Sequence, residues 1–313
     1  MVVKSGQGPV LKISVRFSSS RKFPDGVDEI RVGPYLLKPI PSADGEEAIL
    51  DFNDEWEDVR KAANPIQEAR FMLSWLAVAL ESRLMYKVGE INRAPSLTAG
   101  QLQRFLKPLN PVPDMQQLLD RFLGLPEKLL RTYLRASELY HLGIQVIDER
   151  PSLAIFLLVS SIECLANVVV PNGSFQAKYA SFIRQFCPQD ALGNVSKDMM
   201  PGLISKMYEF RSQYAHGGKD LPVASALAAG RGLAWVKHYV DGKEELAPSP
   251  DWFSHVVQAC LMSYLRSSPL EKPEDRMRKK LVDLALSVGT AHFKSRRPIQ
   301  EGQAVTADDV DLQ

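Results

Sequence analysis

The sequence is poor in cysteine, with three in 313 residues, at 164, 187 and 260. They are widely spaced and form no CxxC pair. That argues against a disulfide scaffold or a structural zinc site, and buried reduced thiols are the plain reading. An excess of charge of either sign is also missing. Lys and Arg total 38 against 37 for Asp and Glu, so any contact with nucleic acid must depend on a local patch, not on a global positive field. There is no GxxxxGK[ST] phosphate loop and no GxSxG nucleophile elbow. No two histidines stand four residues apart, so a helical zinc pair is excluded. His141, His238, His255 and His292 each stand alone on helical patterns and read as packed or surface histidines. No internal repeat is visible.

The longest apolar run, "SLAIFLLVSSIECLANVVV" at 152–170, is interrupted by Glu163 and small polar residues, and reads as a buried core helix and not a membrane span. Its apolar residues surround the axis, so it is expected to be the most buried element. The stretch "MVVKSGQGPV" lacks the apolar core of a secretory signal, and the expected location is cytoplasmic, with no membrane contact. A 45% hydrophobic and 24% charged composition fits an ordinary globular protein.

Residues 10–53 form the only region with a strand pattern. In "VLKISVRF" (10–17), Leu11, Ile13, Val15 and Phe17 alternate with Lys12, Ser14 and Arg16, the period of a half-buried strand. "DEIRV", "PYLLKPI" and "EAILDF" follow between turn residues, predicting a small antiparallel sheet. From about residue 64 the patterning turns helical. One long helix is predicted over 65–91, shorter ones in "TAGQLQRFLKPL" and "DMQQLLDRFLGL", and then six helices: 126–148, 152–170, 174–186 with Ser174 as N-cap, "KDMMPGLISKMYEFRSQYAHGG" ending at Gly217–Gly218, "VASALAAGRGLAWVKHYV", and "PDWFSHVVQACLMSYLRS". The tail after Arg297 reads as disordered. The expected fold is mainly α: an N-terminal region over 1–125 (a small sheet, then a helical connecting region), a helical bundle over 126–266, and a C-terminal helix and tail over 267–313.

Within the fourth of those helices, "YEFRSQYAHGG" (208–218) sets Arg211 and His216 near a helix end. Both suit the negative end of a helix macrodipole, and that structural reading stays open. Glu163 sits in an apolar run where a lone carboxylate is costly, and Arg211 is its expected partner. Tyr214, three residues after Arg211, shares its face and either stacks on a base or packs the core, the core being the expected role for Tyr208 and Tyr214.

The order of helices, with "SSIECLAN" on the apolar one and "LISKMYEFRSQYAHGG" on a later one, resembles the HEPN domain superfamily, in particular its Apea-like branch. The resemblance covers roughly 126–266. It implies a compact helical bundle carrying an R-x4–6-H motif, here Arg211 and His216, with Glu163 at the position of an acidic residue on the earlier helix. For active members it implies a metal-independent endoribonuclease without cofactors, paired as a homodimer so that two motifs share one cleft, and at work in anti-phage defence or a toxin–antitoxin setting with an antitoxin or regulatory protein as partner. The residue types suit that chemistry. Cleavage by the RNA's own 2′-hydroxyl needs a proton acceptor that is partly neutral near pH 7, which histidine provides. Arginine's fork of donors matches the oxygens of a phosphorane-like transition state. This chain departs from the pattern at Ser212, where active members commonly carry Asn, Asp or another strongly polar residue. On one ideal helix, residues five apart lie about 140° apart around the axis, so Arg211 and His216 meet at one phosphorus only through an unwound helix end or a dimer cleft. Two alternatives are a non-catalytic HEPN-like module for dimerisation or nucleotide or RNA binding, with the pair structural, and an unrelated helical adaptor.

Overall fold

A computed structural model describes residues 11–19, 29–32, 35–40, 47–54, 63–80, 82, 84–86, 115–193 and 195–268. The expected helix at 98–109, the C-terminal helix and the tail lie outside these residues. The fold is mainly α-helical with a small β-rich N-terminal region.

Strands β1 (Leu11–Ser19), β2 (Ile30–Val32), β3 (Tyr35–Ile40) and β4 (Glu47–Asp54), together with β5 (Leu84–Tyr86), make a five-stranded sheet in the order β2-β3-β4-β1-β5. Every pairing is antiparallel, with Phe17 opposite Ala48 and Leu37 opposite Leu50. These four residues are fully buried, the inward face that the period-two pattern predicts.

The expected helix over 65–91 is corrected: α1 spans Ala63–Ala79, and Leu84–Tyr86 is an edge strand of the sheet. A short apolar run such as Leu84–Met85–Tyr86 satisfies either period, and the open edge of β1 supplies the ladder partners that decide it. The buried hydroxyls of Ser19 and Ser82, 2.8 Å apart, fasten the turn between helix and strand.

The bundle follows as α2 (Met115–Gly124), α3 (Glu127–Gln145), α4 (Pro151–Val169), α5 (Phe175–Phe186), a 3-10 turn (Gln189–Leu192), α6 (Met200–Gly217), α7 (Val223–Gly230) and α8 (Pro250–Ser267). Local signals set several ends. Ser174 Oγ accepts from Ala177 N–H at 3.3 Å, and Ser249 Oγ accepts from Trp252 N–H at 3.4 Å with Pro250 next in the chain. The expected helix over "VASALAAGRGLAWVKHYV" is a second correction. It stops at Gly230, and Trp235–Val240 (β6) pairs with Lys243–Pro248 (β7) as a hairpin. The hairpin turns at Asp241 and Gly242, both with positive φ (50° and 77°), the backbone that an Asp-Gly turn favours. Strand structure is therefore not confined to residues 10–53.

One continuous core joins the sheet and the bundle, running from Phe17 and Leu50 through Trp75, Tyr133 and Ile162 to Val257. Helix α8 packs against α1, α2, α3, α4, α5 and α7. The expectation that helix 152–170 is the most buried element is also corrected. In α1, Phe71–Ala79 are all buried, because this helix touches the strand β5 on one side and α3 and α8 on others. In α4, Leu153, Phe156, Leu157 and Cys164 stay half-buried. Apolar composition around a helix does not guarantee neighbours on every side.

His141, on α3, is 6% exposed and sits between α1 and the sheet. Its Nδ1 lies 3.3 Å from Ser74 Oγ, and its Nε2 meets Leu84 O, which also accepts from Gln145 Nε2 at 3.1 Å. Burial lowers its pKa from 6.5 to about 4, the bond to Leu84 opposing this only in part. A histidine held neutral in the folded state stabilises in full above pH 6.5, and that contribution is lost progressively as pH falls to about 4. The loss amounts to roughly 3 kcal/mol from the linkage of one such group. Urea unfolding of wild type at pH 7 and pH 4.5 is expected to show this loss, and His141→Gln is expected to remove most of the difference.

Candidate functional site

The site lies where α4 and α6 pack. Glu163 and Phe156 are two turns apart on α4, and Tyr208, Arg211 and Tyr214 recur every three residues on α6, so each set follows one side of its helix. The helices run antiparallel here: Glu163 meets Tyr208 and Arg211, whereas Phe156 meets Arg211 and Tyr214.

Arg211 Nη2 donates to Glu163 Oε2 at 2.9 Å. The side chains are 24% and 12% exposed, so the pair is largely withdrawn from water. The guanidinium also lies over the Phe156 ring, 5.5 Å from its centroid. Arg211 Nε is buried and meets no acceptor among the described residues. One edge of the fork is thus committed to Glu163, and a further donor is left without a partner. Burial raises the Tyr208 pKa, and the neighbouring Glu163 charge adds to the rise while Arg211 opposes it. Tyr208 further packs on Tyr179 of α5, with ring centroids 5.3 Å apart, and Tyr214 packs on Phe156 at 6.0 Å. Both tyrosines contribute to helix packing.

His216 is placed differently. Helix α6 stays regular through Gly217 and closes at Gly218, whose φ of +59° suits glycine and whose N–H donates to Tyr214 O at 3.0 Å. The end does not unwind, so His216 points about 140° away from Arg211 around the axis. It is exposed, and Ser212 is half-buried. Beyond it, Leu221 N–H donates to Ser152 Oγ at 2.9 Å and holds the following loop to the first turn of α4. The structure therefore brings together Glu163, Arg211, Tyr208 and Tyr214, and leaves His216 on the outer side of the same helix end.

The sequence reading missed Phe156 and Tyr179, which look like core residues in any apolar helix. It also missed the clamp on the other side of α6. There Lys206 Nζ bonds Glu245 of β7 at 2.8 Å and Glu209 at 3.1 Å. Burial works against the Lys206 charge, but these two carboxylates hold its pKa above the ordinary lysine value. Among the described residues no group of three or more His, Cys, Asp or Glu is placed to hold a metal ion. No family model, curated protein or solved structure matches this chain.

Proposed function

We propose that the protein is a HEPN-type endoribonuclease that acts as a homodimer and cleaves RNA without a metal ion. The observation that carries this reading is the Arg211-x4-His216 motif in the last turns of α6, with Arg211 paired to Glu163 on the apolar α4 at 2.9 Å. His216 takes the proton of the RNA 2′-hydroxyl as that oxygen attacks the neighbouring phosphorus. Arg211 donates to the non-bridging oxygens as negative charge gathers on them. Glu163 holds the guanidinium in one orientation without touching substrate. Anti-phage defence or a toxin–antitoxin pair is the setting proposed with this chemistry, and an antitoxin or regulatory protein the proposed partner.

Because Arg211 and His216 diverge by about 140° on one regular helix, the catalytic pair is composite: Arg211 of one protomer acts with His216 of the partner subunit. A mixture of Arg211→Ala and His216→Ala proteins tests this. Each mixed dimer rebuilds one intact site, so random exchange of subunits is expected to restore about a quarter of wild-type cleavage from two inactive proteins. If the mixture stays as inactive as its components, the site is not shared between subunits.

A second reading is supported by the Arg211–Glu163 bond itself. An arginine whose fork is engaged by a carboxylate on a neighbouring helix can serve only to tie α4 to α6. The protein is then a non-catalytic HEPN-like module for dimerisation or for binding nucleotide or RNA, and neither mutant changes any cleavage.

A further inference from the structure

Cys187 ends α5 and Cys260 lies mid-way along α8, and the chain on either side of each is fastened to the other. Just before Cys187, the Phe186 and Phe182 rings pack on Tyr264, one turn after Cys260, with centroids 5.3 and 5.9 Å away. Just after Cys187, Leu192 O accepts from Trp252 Nε1 at 3.4 Å, two turns before Cys260. This antiparallel crossing brings Cys187 alongside Cys260, and the Cys187 S–H donates to Pro188 O at 3.7 Å. Cys187 is half-buried, whereas Cys260 has no exposure at all. Both are free thiols.

We propose that Cys187 and Cys260 form a reversible disulfide on exposure to hydrogen peroxide, with Cys187 oxidised first and Cys260 resolving it. The Cys187 thiolate displaces hydroxide from peroxide and becomes a sulfenic acid. Cys260 then gives up its proton and its sulfur attacks that of Cys187. The hydroxyl leaves with the proton as water, and the S–S bond forms. Both sulfurs are oxidised, the two peroxide oxygens are reduced, and two waters result per disulfide. The surroundings favour this order. The neighbouring Cys260 thiol holds the Cys187 thiol below its ordinary pKa against the effect of burial, with the His255 side chain acting in the same direction and Asp190 against it. Burial drives the Cys260 thiol well up, so it waits as a protonated thiol until its neighbour is oxidised. The disulfide would lock α5 to α8, behind the Tyr179–Tyr208 contact. It does not depend on the nuclease reading.

The test is thiol counting on the full-length reduced protein before and after hydrogen peroxide, by alkylation in denaturant and intact mass. Wild type is expected to fall from three alkylated cysteines to one, Cys164, with a linked peptide joining Cys187 to Cys260 and all three recovered after dithiothreitol. Cys187→Ala is expected to keep both remaining thiols. Cys260→Ala is expected to leave Cys187 as a sulfenic acid that a dimedone probe captures. Three alkylated cysteines in oxidised wild type, or a disulfide that includes Cys164, overturns the proposal, and the wild-type measurement decides it even if a variant fails to fold.

Discussion

With His216 as the proposed general base, His216→Ala is expected to lower RNA cleavage by about 10²–10⁴-fold, while leaving folding stability within about 0.5 kcal/mol of wild type. The asymmetry follows from where the residue sits. It is exposed in the last turn of α6, and the cap at Gly218 is built from backbone groups that the substitution does not touch. The imidazole contributes to stability only through its interaction with the helix C-terminus, worth a few tenths of a kcal/mol at an exposed site. Parallel measurements of cleavage of a defined RNA and of urea unfolding check both halves. A variant that loses activity and unfolds early would point to a structural role for His216.

Arg211→Ala is expected to fail on both counts. In the proposed reaction cleavage is expected to drop because charge on the phosphorane is no longer met, about 10²–10³-fold for one such donor group. Stability drops as well, because Glu163 is only 12% exposed and loses the cation that compensates its burial. The cost is about 2–4 kcal/mol, somewhat below a fully buried pair because the arginine keeps some contact with water. Lost packing on Phe156 adds a smaller share. Changing Glu163→Gln in the Arg211→Ala background is expected to recover much of that stability, since a neutral amide tolerates the site better than an unpaired carboxylate. It is not expected to recover cleavage. Restored stability without restored activity separates the clamp role of the pair from its chemical role, and urea midpoints of the two single variants and the double variant read it.

Much of this architecture can be read in the residues. The alternation in 10–17 and the turn residues after it mark a sheet, and Pro151, Ser174 and the 217–218 glycines mark helix ends that the structure keeps. The contact between Glu163 and Arg211, 48 residues apart, follows from the cost of a carboxylate in an apolar helix and the presence of one well-placed cation. What the residues hide is of two kinds. Leu84–Tyr86 is a strand only because β1 offers it an edge, a fact of tertiary pairing that lies outside any local window. The hairpin at 235–248 is only half signalled, since Asp241–Gly242 follows the β-rich run WVKHYV but precedes KEELAP, which has little strand propensity. It was obscured by the alanine-rich helix that precedes it. At the site, Tyr208 and Tyr214 are legible as α6 residues on the face of Arg211, but their partners Tyr179 and Phe156 emerge only when α4, α5 and α6 are packed.

The central claim is RNA cleavage by Arg211 and His216. Its most direct test is incubation of the purified wild-type and His216→Ala proteins with mixed cellular RNA in the presence of a chelator, with analysis of the new RNA ends. Wild type is expected to cleave with the chelator present and to leave 2′,3′-cyclic phosphate or 3′-phosphate ends, the products of attack by the 2′-hydroxyl, and the variant is expected not to cleave. An inactive wild-type protein, or robust cleavage by the His216→Ala protein, would contradict that claim.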